Sequence, residues 1–302
     1  MYRVLHGRDI TRGGPMPRSS EWSISEDRTL GFDAPRVEEL QVRLVSGLVN
    51  VVGTDEPTTR VEITEVKGPP LIVRQEGGTL SVAYDDLPWK GFLKWLDRKG
   101  WHRSAVVSVS VPADVRLTVG LVGASAVVSR IAGRTDVRGV SGDTTLVGLS
   151  GDVHAETVSG ALEAQGVSGR LRFSSVSGGL TVIDHRSPRL SADSVSGDMV
   201  VDLAPSALPL DLRLNTVSGE VAVRLPEEVS AGVSASTASG AVSSAFAELS
   251  AVGGWGARQL TGTLGSGAGS VSCTSVSGSL ALLRRPPAER DSPPAASLRK
   301  DA

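Results

Sequence analysis

Through the middle of this chain glycine recurs every nine residues: Gly142, Gly151, Gly160, Gly169 and Gly178 each follow a serine, and Gly133 extends the series backwards. A strict period marks a repeat architecture, in which a unit buries its apolar face only by stacking on its neighbours. From Val140 to Asp184 the units read VSGDTTLVG, LSGDVHAET, VSGALEAQG, VSGRLRFSS and VSGGLTVID. Apolar residues fall at the first, fifth and seventh places. The fifth and seventh alternate with polar neighbours, which is the period of a half-buried strand. Ser-Gly supplies a corner, where positive φ or a close backbone approach costs glycine little. Each unit is therefore one short strand and one turn.

At about 3.3 Å per residue, nine residues cannot close a coil around a core, but two units can. The expected architecture is all-β: a parallel β-solenoid or β-roll with about 18 residues per coil, two facing sheets, and one short helical insertion. Later corners follow at Gly197, Gly219 and Gly240, steps of 19, 22 and 21, as though each coil kept one Ser-Gly corner and loosened the other. Pro188, Pro205, Pro209 and Pro226 lie in the looser halves, where a missing N–H is tolerated only in loops. After the glycine-rich stretch 252–270 a final unit, VSGSLALL, spans Val276 to Leu283.

The chain divides into an N-terminal extension at 1–20 expected to be disordered, a β-rich part at 21–112, solenoid repeats at 113–284, and a Pro-containing tail at 285–302, without periodicity and also expected to be disordered. In the β-rich part, Leu71 to Val73 and Leu80 to Tyr84 flank Glu76-Gly77-Gly78-Thr79, a hairpin signal. One segment breaks the pattern. LPWKGFLKWLDRKGWH, Leu87 to His102, spaces Trp89, Phe92 and Leu96 as a helix over 88–100. Its Trp89, Lys90, Phe92, Lys94, Trp95, Arg98, Lys99 and Trp101 combine aromatic anchors with a cationic flank. They could cap the open end of the stack, or contact a partner protein or an anionic membrane surface.

The formal charge of −2 supplies no overall field for nucleic acid. Cys273 has no partner in the chain, so disulfides do not hold the fold. No stretch reaches the roughly 18 apolar residues of a membrane span, and Met1 to Ser20 lacks the apolar run of a signal peptide. Cytoplasmic residence is the expectation, with Met16 as a second candidate start.

Candidate chemistry is sparse. Calcium-binding nonapeptide rolls need a carboxylate in every repeat; here the residue after the corner glycine is Asp143, Asp152, Asp198 and Glu220 but also Ala161, Arg170, Gly179, Ala241 and Ser279. If units eighteen apart stack, Asp152 neighbours Arg170 and His154 neighbours Arg172, a weak surface site for a carbohydrate-binding or carbohydrate-active solenoid, while Thr145, Glu163 and Thr181 share a column. Ion pairing across strands explains the same residues without catalysis. His185 reads as polar filling in a loop. Serines that recur at every corner are better used by turn backbone than as nucleophiles. No phosphate loop or dinucleotide fingerprint is present, and no catalytic residue, cofactor or metal is expected.

The VSG and VSGD corners, the PWKGFLKWLDRKGW insertion and the closing VSGSLALLRRPP together resemble the putative-adhesin family of bacterial β-strand-repeat proteins, a domain of unknown function common in actinobacteria. The resemblance covers about residues 20 to 285. It implies a right-handed stack of strands, no catalytic residues to carry over, and an association of some members with envelope stress. The expected role is a non-catalytic structural or interaction scaffold with a protein partner and self-association through the solenoid ends.

Overall fold

The computed structural model describes residues 19–85, 103–253 and 258–286. Every regular element among them is a β-strand, and they form two facing sheets of fourteen and twelve strands. The repeats do what their period dictates. Thr135 pairs with Val153 and Val153 with Leu171 in one sheet, while Thr144 pairs with Leu162 and Leu162 with Leu180 in the other, all in parallel ladders stepping by eighteen. The fifth and seventh places of each unit point inward: Val153, Ala155, Leu171 and Phe173 meet Leu162, Ala164, Leu180 and Val182 in one continuous core. Later coils lengthen to the anticipated steps of 19 and 22, at Leu171 to Leu190 and Leu190 to Leu212.

The corner glycines divide by mechanism. A Cβ on Gly160 would overlap the carbonyl oxygen of Gly142, one on Gly178 that of Gly160, and one on Gly197 that of Gly178. None of these three has positive φ, so close stacking of coil on coil is what demands glycine there. Positive φ recurs in another column, at or just past the end of four strands of the twelve-stranded sheet: Arg130 (55°), Gly148 (63°), Gly166 (63°) and Asp184 (53°); among the corners themselves Gly47 (108°) and Gly142 (111°) also adopt it.

The serines beside the corner glycines are used by backbone, as expected, but between coils. Ser159 Oγ donates to Val140 O (3.1 Å), Ser177 Oγ to Val158 O (3.2 Å) and Ser277 Oγ to Val217 O (3.2 Å). Each of these carbonyls also accepts the N–H of the same serine. The aspartates after the corners work similarly: Asp143 Oδ1 accepts from Ala161 N (3.0 Å) and Asp198 Oδ1 from Glu220 N (2.8 Å), the latter across a 22-residue step.

At both ends the chain departs from a simple stack. The final unit does not close the fold. Gly269–Ser275 and Leu280–Arg284 insert between the coil 211–225 and the coil 231–244. The expected step from Gly219 to Gly240 is therefore wrong: Gly278 lies over Gly219, and Gly240 over Gly278. The hairpin Leu249–Gly253 and Arg258–Leu264 then runs antiparallel against Ala231–Thr237 and covers that end. The N-terminal end repeats the device. Coil 39–54 is held between strands Thr79–Ala83 and Ser104–Pro112 on one side and coil 116–129 on the other, and antiparallel strands Thr59–Lys67, Leu71–Glu76, Ser19–Ile24 and Arg28–Phe32 cover the outside. The turn at Glu76 to Thr79 is the expected hairpin, with Gly77 at φ 59°.

Two boundaries shift. Ser19 and Ser20 already belong to a strand rather than to the extension expected at 1–20. Arg285, expected in the tail, is part of the fold: it straps the inserted coil to the two coils 180–185 and 199–203, with Nη1 donating to Leu203 O (3.0 Å) and Nη2 to Asp184 Oδ1 (3.4 Å). The helix expected over 88–100 lies outside the described residues.

Cys273 sits inside the inserted coil, 1% exposed, and burial pushes its thiol pKa up to about 12. Thiolate, not thiol, reacts with alkylating reagents, so labelling is expected only as fast as that coil opens. Rapid labelling under native conditions, measured by mass spectrometry, would contradict the placement of the final coil.

Candidate functional site

The residues singled out on the repeats come together on the outer face of the fourteen-stranded sheet. His154 and Arg172 are paired neighbours, as the eighteen-residue step requires. Asp152 Oδ1 accepts from Arg170 N (3.1 Å), and its other oxygen stands 4.0 Å from Arg170 Nε. His154 turns to Glu156, with Nε2 2.9 Å from Oε1. On the opposite sheet Thr145, Glu163 and Thr181 share the anticipated column. The Asp152 and Arg170 side chains are 58% and 57% exposed, so these groups decorate a flat face and do not converge. The His154 ring is a quarter exposed and its side-chain partner is Glu156 on the same strand, so the imidazole and the exposed Asp152 do not face a common enclosed space.

Trp89, Lys90, Phe92, Lys94, Trp95, Arg98, Lys99 and Trp101 fall outside the described residues. Elsewhere Arg43 is buried, which lowers its pKa to about 10 by desolvation, and the Arg103 guanidinium lies 5.0 Å from the centre of the Tyr84 ring. Neither residue carries a sequence signal that singles it out.

A hollow of about 520 Å³ opens on the edge decorated by the loops after Leu203 and Leu225. Leu203, Pro205, Leu208, Pro209, Leu210 and Pro226 make its apolar wall, and Glu228 is the one ionisable residue among its described lining. Prolines excluded from the ladders build this rim. On the edge that carries the VSG corners, Val176, Val195, Val217 and Val276 each stand about half exposed, one per coil. No group of three or more His, Cys, Asp or Glu side chains among the described residues is arranged to hold a metal ion, and no helix among them is long and apolar enough to cross a membrane.

His185 corrects the sequence reading. It is 1% exposed, inside the core, not in a loop. It fills the inner column of Ile131, Leu149 and Val167 and pairs with Leu203 in the next coil. Counting eighteen forward from Val167 finds it. Burial lowers its pKa below the ordinary 6.5, only partly offset by the backbone at Arg189 and Val167. A lowered folded-state pKa means that the unfolded chain binds the proton more tightly. Stability is then fully present above about pH 6.5 and is lost, by at most about 1.4 kcal/mol per pH unit, as pH falls from there through the folded-state value. His185→Leu, apolar like the rest of its column, is expected to flatten urea-unfolding stability measured between these limits. An unchanged pH slope in that variant would contradict the burial.

Two facing parallel ladders, closed at both ends by antiparallel strands and bearing flat polar faces, define a capped β-solenoid. The chain belongs to the Toastrack DUF4097 family, matched over residues 37–283. No curated protein matches it. Among solved structures it is similar to a putative cell adhesion protein from Clostridium sporogenes, at 11% identity over 89% of this chain and 100% of that one, with a TM-score of 0.25. It is also similar to a putative lipid binding protein from Parabacteroides distasonis, at 14% identity over 91% of this chain and 98% of that one, with a TM-score of 0.36.

Proposed function

We propose that this protein is a non-catalytic interaction scaffold, a rigid rod whose faces and edges present evenly spaced side chains to a partner. The observation that carries this reading is where its polar groups go. Corner serines and aspartates are taken up by backbone in adjacent coils, His154 is paired with Glu156 on an open face, and the 520 Å³ hollow has a single carboxylate in its described lining. Reaction sites instead gather perturbed acids, bases or nucleophiles in a concave, water-excluding place. Self-association through the ends belongs to the same proposal, because among the described residues the outer strand Leu249–Gly253 pairs on one side only and Val252 on it is 67% exposed.

A panel of acidic and neutral polysaccharides assayed with wild type and with Asp152→Asn/His154→Ala is the test. No turnover by either protein is expected, together with a defined set of proteins cross-linked to both in the native cell. Turnover by wild type that disappears in the double variant would replace the scaffold with an enzyme.

A further inference from the structure

The outer face of the fourteen-stranded sheet gathers arginines beyond what its ion pairs use. Arg170 and Arg189 stand one residue before the paired Leu171 and Leu190, and so oppose each other on neighbouring strands. In the next column Arg172 pairs with Ser191 and Ser191 with Arg213. Ser191 thus has an arginine opposite it on each neighbouring strand and two more in the adjoining column. Arg170, Arg189, Arg213, Ser191 and Asp211 line one shallow hollow of about 300 Å³, and Arg172 stands just outside that lining, on the strand beside Ser191.

The local carboxylates do not balance this charge. Asp152 stands 4.0 Å from Arg170 and Asp211 3.5 Å from Arg213. Asp193, next on the outer face beside Ser191, accepts instead from Asn215 Nδ2 (2.9 Å). Among the described residues no carboxylate lies within 4.0 Å of Arg172 or Arg189, so these two guanidinium groups are without an ion pair there, although Asp211 stands opposite Arg189 on the next strand and Asp193 keeps its charge beside Asn215. Like charges directly opposed on adjacent strands destabilise a sheet. A chain of net charge −2 has no general basicity to account for such a cluster.

We propose that Arg170, Arg172, Arg189 and Arg213 around Ser191 bind a phosphomonoester dianion. Arg172 and Arg189, without an ion pair among the described residues, offer a dianion two guanidinium partners. Strands spaced by about 4.8 Å put Arg172 and Arg213 on either side of Ser191, near enough for their long side chains to meet above it. Guanidinium forks donate charge-assisted hydrogen bonds to separate phosphate oxygens, a geometry in which arginine is not replaceable by lysine. The Ser191 hydroxyl supplies a further donor. The ester could be a soluble metabolite or a lipid headgroup, since a flat face admits both. The site stands whether or not the scaffold reading does.

Calorimetric titration of the full chain with inorganic phosphate, against chloride at equal ionic strength, tests the chemistry. Saturable phosphate binding is expected, about tenfold weaker in Arg172→Gln or Arg189→Gln and lost in the double variant. Flotation with phosphatidylcholine vesicles containing phosphatidic acid separates the sources. Flotation lost in the double variant assigns a lipid headgroup, and phosphate binding without flotation assigns a soluble ester. Phosphate no better than chloride, equal flotation with phosphatidylserine, or undiminished binding by a folded double variant would each overturn the proposal.

Discussion

Alanine at Gly160 should cost about 3 kcal/mol or more, the upper end of forced overpacking, while alanine at Gly148 should cost only about 1 kcal/mol. Both are repeat glycines, and only their surroundings differ. The added Cβ at Gly160 would enter the carbonyl of Gly142, with Thr157 Oγ1 a further 3.2 Å neighbour. Gly142 cannot retreat, because it is stacked against Ala124 in turn, and Gly178 stacks on Gly160 from the other side. At Gly148 nothing lies within 4 Å, and the penalty is that of a side chain at φ +63°. Asparagine tolerates that conformation, and Arg130 and Asp184 already adopt it in the same column. Gly148→Asn should therefore be close to neutral. Urea midpoints for the three variants decide the matter, and equal losses at Gly160 and Gly148 would mean that corner stacking is not what selects glycine.

That column shows why part of the fold was legible in the sequence and part was not. Backbone stacking forbids any side chain at the Ser-Gly corners, so the glycine register is strict, and the pairing of His154 with Arg172 follows from it by counting. Positive φ only favours glycine. Two of the four left-handed positions hold Arg130 and Asp184, and their eighteen-residue register carries no composition signal. His185 was hidden for a related reason. A polar residue at an inner place breaks the apolar pattern by which inner places are recognised, although Ile131, Leu149 and Val167 mark its column. The arginine cluster around Ser191 mixes coils of eighteen, nineteen and twenty-two residues, so its members align only once the looser turns are placed. The order of the last coils lies deeper still. A step of 21 from Gly219 to Gly240 looks like one more repeat, and only the ladders reveal the space left between them.

That space makes the second large effect. A chain ended after Gly265 loses the inserted coil, whereas one ended after Pro286 keeps it. Val271, Cys273, Leu280 and Leu282, each 1% exposed, fill the core between the coils on either side, and Arg285 anchors the coil across its neighbours. Burying a Val or Leu side chain stabilises by about 1.5–3 kcal/mol, so the gross loss rivals the roughly 5–15 kcal/mol that holds a whole domain. In a stack of independent repeats, removing a terminal unit costs little more than its own contacts. Here the missing unit is internal, and coil 231–244 with its covering hairpin is left with no ladder partner on the body side. The shorter chain should lose soluble yield and become protease-sensitive from Leu225 onward, while the longer one matches wild type. If the shorter chain is as protease-resistant as wild type, coil 231–244 must close the gap by placing Gly240 over Gly219, and the intercalated order would then be dispensable for stability.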